Sequence, residues 1–418
     1  MPRKFPFRHL ASLVSAGVLS ATVVAAAAGA GAPTAQAQQG TDADAREVRI
    51  GFVTTLTTPA GIIGRDMVDA AKLAIEHMGG KMAGLSVKLI VEDDGFRPDV
   101  GRQKTVKLVK QDKVRFLTGY IWSHVLMASR KPALDAGAFL ISANAGPAPL
   151  AGKLCHQNFF SASWQNDQLP MAVGELMNRR GIKSAYIMVP NYTAGKNMMA
   201  GVMRTFKGKV LGRDLTKWGK DAQLDFSAEL AKARASGAEA LFAFYPGKAG
   251  VAFLKQFEQA GLKQHMQLFT VFMLDALSLP KLKQAGMKDI LGRQSPHFWS
   301  PDLDNPVNAK FVADFREKYG RTPSFYAAQA YDAINLIRAG VEGAKGNLDD
   351  ADAIRAAMKR ADFGSVRGSF TYGNNHFPIQ DFHIREVVQN DAGEWTLRTV
   401  GRIYEKHQDP YAKDCPLK

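Results

Sequence analysis

VRFLTGYIWSHVLMASRKPALDAGAFLIS, residues 114–142, decides the fold. Its first seven residues are rich in aromatic and β-branched side chains and read as a strand. Residues 123–136 carry apolar side chains at helical spacing up to Gly137, and 139–142 is again a strand. A strand, a helix and a strand joined this tightly predict two parallel strands with a helix packed on their sheet. Residues 240–270 repeat the order: strand 240–245, helix 248–260, Gly261, strand 266–270. The repeat lies in order and spacing rather than residue identity, and it predicts a second lobe built like the first.

Upstream, residues 48–53 read as a strand, followed by a Thr/Gly/Pro loop to Gly64, helix 67–77, strand 86–92 and helix 99–111. Downstream, after a loop at 164–169, helix 170–180, strand 185–190 and a helix near Lys196 start the second unit. The Pro-, Asp- and Asn-rich segment 296–306 predicts a chain crossing. Helices 307–319, 325–340 and 349–361 follow it, then turn-separated strands at 368–382. The expected fold class is α/β, with lobe 1 at 46–163 plus 298–381, lobe 2 at 164–297 plus 382–404, and a tail at 405–418.

With 46% hydrophobic and 22% charged residues over 418 positions, the chain is globular; disorder and fibrous repeats are excluded. Arg3, Lys4 and Arg8 precede an apolar stretch from Leu10 to Ala28 and the small triplet Ala35-Gln36-Ala37. This is the anatomy of a secretory signal. The alternative, a membrane anchor, fits less well because the stretch is mostly Ala, Ser and Gly and leads into Pro33. Cleavage after Ala37 would leave a soluble chain of net charge +12, exported to the periplasm. No Cys follows the leader to carry a lipid. In an oxidising compartment Cys155 and Cys415 are candidates for a disulfide, two free thiols being the alternative.

Signatures of catalysis and nucleotide binding are missing: no GxGxxG follows a strand, and GxxxxGK[ST], HExxH and GxSxG do not occur. No cofactor or metal is expected. Ser123 and His124 are sequence neighbours and point to different faces of a helix, so they do not make a nucleophile and base; Ser123 reads as a helix cap. Asp93-Asp94 at a strand end reads as a turn cap or a partner of Arg97. Lys104, Lys107 and Lys110 lack interleaved aromatics and read as a solvated helix face, not a nucleic-acid groove. What remains is a set of loops at the C-terminal ends of strands, where open α/β sheets bind ligands. These are Ile121-Trp122-Ser123, Ala143-Asn144-Ala145-Gly146, Asn191-Tyr192, Tyr245-Pro246-Gly247 and Phe272-Met273. At Ser123 the free amides of a helix start favour an anion such as a carboxylate.

The order of elements resembles the type I periplasmic solute-binding proteins of the branched-chain amino acid group, which serve ABC importers. The resemblance spans residues 46–404. It is carried by Ile50-Gly51 with Gly61 and Gly64, Met78-Gly79-Gly80, Val91-Glu92-Asp93-Asp94, Gly119 to Ser123, Asp225-Phe226-Ser227, Ala260-Gly261-Leu262 and Tyr326 to Asp332. It implies two Rossmann-like lobes with parallel-rich central sheets, joined by a multi-strand hinge, that close on a solute. It also implies a monomer that docks on a membrane permease and has no enzymatic activity.

The resemblance places a ligand carboxylate at Ser123, Asn144 and Gly146 and second-lobe tyrosines near Tyr192 and Tyr245. The acid that pairs with an amino acid's ammonium falls at Phe272, while a shift of three would place Asp275 there. Without that acid a buried ammonium stays unpaired, at a cost of several kcal/mol. An aromatic or otherwise apolar carboxylate, packed among Trp122, Tyr192, Tyr245 and Phe272, is therefore favoured over a branched-chain amino acid. A stacked ring contributes about 4–6 kcal/mol before ordering costs. Two rivals are a ligand-presenting sensor of the same fold and an exported hydrolase built around Ser123 and His124.

Overall fold

In a computed structural model of the chain, residues 47–219 and 222–417 are described. The leader expected at 1–37 lies outside them. Two parallel-rich sheets form the centres of two lobes. The first holds β1 (Glu47–Thr54), β2 (Lys81–Met82), β3 (Leu85–Asp93), β4 (Phe116–Gly119), β5 (Phe139–Ser142) and β6 (Phe159–Ser161). Its order is β2-β3-β1-β4-β5-β6, and only the β2–β3 pair is antiparallel. The second holds β7 (Ser184–Pro190), β8 (Lys209–Thr216), β9 (Ala240–Phe244) and β10 (Gln267–Val271), all parallel, in the order β10-β9-β7-β8. β4, β5, β9 and the core of β7 are buried along their length, as strands covered by helices on both faces must be.

A third, antiparallel sheet is built on β13 (Pro378–Gln389), which pairs with β11 (Gln294–His297), β12 (Thr371–Tyr372) and β14 (Trp395–His407). From β11 the chain runs to the helix Pro306–Tyr319, where the Tyr319 hydroxyl donates to the Asp69 carbonyl on the first lobe. The helix Phe325–Gly343 begins at Ser324, whose Oγ accepts from the amides of Tyr326 and Ala327. Further along it, fully buried Asp332 accepts from Arg367 Nε at 3.1 Å, while Arg367 also donates to the Ser163 carbonyl at 3.0 Å. That ion pair ties the helix to the segment entering the second unit.

The helix Gly61–His77 starts six residues earlier than its periodicity suggested. The sequence predicts a loop at Gly61 and Gly64. They sit in the helix's first turn, where a Cβ on Gly64 would lie 1.9 Å from the Thr55 carbonyl oxygen. They are there for close backbone approach. β8, β11 and β14 escaped the sequence reading: β8 alternates exposed and half-buried side chains with charges interspersed, and β14 is largely exposed.

Cys155 and Cys415 are joined by a disulfide that spans 260 positions. It fastens the C-terminal segment, which also receives hydrogen bonds from Asn374 Nδ2 at the carbonyls of Ala412 and Leu417. No helix among the described residues is long and apolar enough to cross a membrane.

Candidate functional site

The strand ends of the two lobes face one another across a cleft. On the first lobe the chain leaves β4 through Gly119, φ 96°, where a Cβ would meet the Val53 carbonyl oxygen at 2.3 Å. Tyr120 follows at φ 57°, and its hydroxyl shares a 2.8 Å hydrogen bond with Thr105 Oγ1. This turn delivers extended Trp122 and then the helix Ser123–Asp135. The capping position is Trp122, not Ser123 as expected, and it makes no side-chain cap. Ser123 is the first helical residue, in a turn whose amides lack intrahelical acceptors. Trp122 Nε1 donates to Thr55 Oγ1 (2.8 Å), and that hydroxyl donates to Asp94 Oδ1 (2.5 Å).

Asp94 also accepts from the Phe96 amide, and Asp93 from the amides of Leu56 and Gly95. Both carboxylates therefore serve turns. Arg97 pairs with Asp99 instead of with them.

After β5, Asn144 is 8% exposed on the cleft wall and its carboxamide is held on both sides. Nδ2 donates to the Ile121 carbonyl at 2.7 Å, and Oδ1 accepts from Gln329 at 3.2 Å. The Gly146 amide, expected to be exposed, donates to Asn166 Oδ1 at 3.1 Å. Asn166 Nδ2 in turn donates to Ser123 Oγ at 3.0 Å. Gly146 is required because a Cβ there would lie 2.0 Å from the Trp164 carbonyl oxygen. Its place in the candidate site thus changes from a ligand contact to a packing position. Asn166 and Trp164, which the sequence reading treated only as loop, line the cavity. Trp164 Nε1 is buried with no hydrogen-bond partner among the described residues, an unused donor on an indole that lines the cavity.

The second lobe brings Tyr192, Phe244, Pro246 and Phe272 to the opposite wall. Tyr192 precedes the helix Thr193–Thr205 and stacks on Trp218, with ring centroids 5.4 Å apart and 20° between planes; its edge meets His124 at 5.5 Å. Phe272, at φ 60°, stacks on Trp164 and meets Phe244 edge-on at 5.7 Å. Tyr245 departs from expectation. Side chains alternate at a strand end, so Phe244 faces the cleft. Tyr245 packs in the lobe core against Phe226 and Phe253, its hydroxyl accepting from Thr216 at 3.2 Å. Tyr326, at the start of the helix Phe325–Gly343, lines the cavity, a place that no local sequence feature marks.

Asp275 is not part of this wall. Its Oδ1 accepts from the amides of Leu277 and Ser278 at 2.9 and 2.8 Å, a turn-forming role, and it lines a different cavity.

These side chains close the cleft to about 20 Å³, room for one water. No residue lining it is charged. Burial pushes the Tyr192 and Tyr326 phenols up and holds the nearby His124 imidazole down to about 4, so all three are neutral at pH 7. A second space of about 230 Å³ shares Trp122 and Pro246 with the first and adds Phe96, Trp218 and Lys248. Together they form an aromatic cleft with hydrogen-bond donors and no fixed charge in its inner part. Among the described residues no group of three or more His, Cys, Asp or Glu is placed to hold a metal ion.

Comparison with known proteins agrees with this architecture. The model of the periplasmic binding protein family matches residues 47–393. A Leu/Ile/Val-binding protein homolog of Brucella melitensis is 25% identical over 376 residues, covering 88% of this chain and 94% of its own. A solute-binding protein of an ABC transporter from R. palustris, solved in complex with benzoate, is 28% identical with a TM-score of 0.81; the match covers 89% of this chain and all of that one. A leucine-binding protein from Thermotoga maritima shares the fold at a TM-score of 0.74 and 19% identity, over 85% of this chain and 98% of its own. With two α/β lobes and a family match over most of its length, the chain belongs to the periplasmic binding proteins, as an extracytoplasmic solute-binding protein of the ABC-transporter type.

Proposed function

We propose that this protein captures a small aromatic or apolar carboxylate in the cleft and presents it to the membrane permease of an ABC importer. Phe272 carries the reading: it puts a phenyl ring where the resemblance places the partner of an ammonium, and none of the residues lining the inner cavity is charged. The unpaired Trp164 indole N–H, the helix start at Ser123 and the rings of Trp122, Tyr192 and Phe272 suit a carboxylate on an apolar body. The benzoate complex of the R. palustris relative supports the same ligand class. Asn144 acts by fixing the Ile121 carbonyl and the wall, since both ends of its carboxamide are engaged.

Solute enters when the lobes part and is enclosed by hinge closure, for which periplasmic binding proteins are a standard example. The proposed lobes are 46–163 with 298–381 and 164–297 with 382–404. The protein acts as a monomer in the periplasm after loss of residues 1–37, without cofactor or catalysis. A sensor that presents the same ligand to a receptor shares every one of these features, and permease and ATPase genes beside this one would decide for import.

The cleft carries three indoles, Trp122, Trp164 and Trp218, so titration of ligand-stripped protein while following tryptophan fluorescence tests the reading. Saturable change with benzoate and none with leucine is expected; the reverse would overturn it.

A further inference from the structure

We propose that the cavity around Arg385 is a second binding site, for a small organic monocarboxylate, separate from the cleft. Arg385 lies in β13 and lines a cavity of about 310 Å³ together with Asp275, Trp299, Arg321, Phe325 and Trp395. That volume is at the lower end of small-molecule pockets, roughly 300–1,000 Å³. The cavity is bounded by the loop before the helix Phe325–Gly343, by the turn at Asp275 and by the antiparallel sheet. None of its lining residues belongs to the cleft cavity.

Most charged groups lining this cavity already have partners in contact. Arg321 is bonded to Asp66 and Asp69, Glu394 to Arg316, and Lys283 to the Gly393 carbonyl. Arg385 is 1% exposed, yet Nη1 donates only to the Trp299 carbonyl, at 3.1 Å. Its Nε has no hydrogen-bond partner among the described residues. Asp275 and Asp302 attract it through space but neither forms an ion pair with it, and a buried guanidinium with no anion in contact is costly. Burial holds it down to about 9, so it is charged at neutral pH. A carboxylate is the group its planar fork matches, and Trp299, Phe325 and Trp395 offer apolar faces to the rest of such a ligand.

Asp275 shapes the selectivity. Burial raises its pKa, while two backbone amides on Oδ1 and the nearby Arg385 favour its carboxylate form, which on the same cavity opposes a second negative charge. The site therefore takes monoanions ahead of dianions. This inference stands apart from the reading of the cleft, because neither cavity shares a residue with the other.

The test is ¹⁹F NMR of 4-fluorobenzoate with the purified protein after unfolding and refolding to strip ligand. Two bound resonances are expected. Arg385→Met weakens one of them about tenfold or more. Ala276→Trp, which fills the same cavity without touching the buried charge, removes the same resonance, while Ser123→Ala affects only the other. Absence of any bound resonance sensitive to both Arg385→Met and Ala276→Trp overturns the proposal. If Arg385→Met fails to fold, Ala276→Trp decides alone. A single resonance lost in these variants and kept in Ser123→Ala retains the Arg385 site and removes support from the cleft.

Discussion

Phe272 lies against Trp164 with ring centroids 4.8 Å apart and 25° between their planes. Trp164 follows β6 of the first sheet and Phe272 follows β10 of the second, and the pair fills with hydrocarbon the place where the resemblance puts the acid that pairs with an amino acid's ammonium. The nearby acid, Asp275, is turned into its own backbone turn.

Replacing Phe272 by Glu should therefore abolish the preference for aromatic acids. A carboxylate facing the ligand's own costs several kcal/mol, so calorimetric affinity for benzoate should fall about hundredfold or more. Phe272→Leu, which keeps an apolar wall, should retain most of it. Equal affinities in wild type and Phe272→Glu would place the ligand elsewhere.

Asn166 bridges the two loops of the first wall, accepting from the Gly146 amide and donating to Ser123 Oγ. Asn166→Ala leaves both groups buried and unsatisfied. Urea unfolding should register a loss of about 1–3 kcal/mol, with weaker benzoate binding. A stable variant with unaltered affinity would show that the bridge is dispensable.

The disulfide between Cys155 and Cys415 closes a span of 260 positions. Its reduction, or a Cys155→Ser and Cys415→Ser double variant, should cost about 2–4 kcal/mol. Hydrogen exchange should localise the opening to the segment after 407. Uniform loss of protection across both lobes would contradict a role confined to the tail.

His124 is half-buried against Phe96 and Tyr192, and its Nδ1 has no hydrogen-bond partner among the described residues. Burial lowers its pKa from 6.5 to about 4. The unfolded chain thus binds the proton first, and stability falls as pH drops from about 6.5 to 4, by at most about 3 kcal/mol from this group. Buried His376 and half-buried His407 are shifted the same way, so a His124→Gln variant should lose part of that slope and keep the rest. An unchanged slope would mean that His124 is already solvated in the native state.

The alternation of buried strands and helices was legible because each carries a periodicity that burial enforces, as in β4, the helix Ser123–Asp135 and β5. Strand ends were legible too, which brought Trp122, Ser123, Asn144, Tyr192 and Phe272 to one cavity. Tyr245 was misplaced because neighbours at a strand end point to opposite sides, and one residue of register decides between cleft and core. Gly146 was misjudged because its amide is taken by Asn166, twenty positions away. Trp164 and Asn166 sit in a segment without periodicity, so nothing local marks them. The cavity at Arg385 is assembled from a loop, a turn and two antiparallel strands, and only the folded chain reveals a guanidinium there whose Nε has no hydrogen-bond partner among the described residues.

Thermal unfolding of ligand-stripped protein with and without benzoate and leucine tests the central claim most directly. Binding to the native state alone adds about 2.7 kcal/mol at a hundred times the dissociation constant. The account predicts a concentration-dependent rise in melting temperature with benzoate and none with leucine. A rise with leucine and none with benzoate would contradict it.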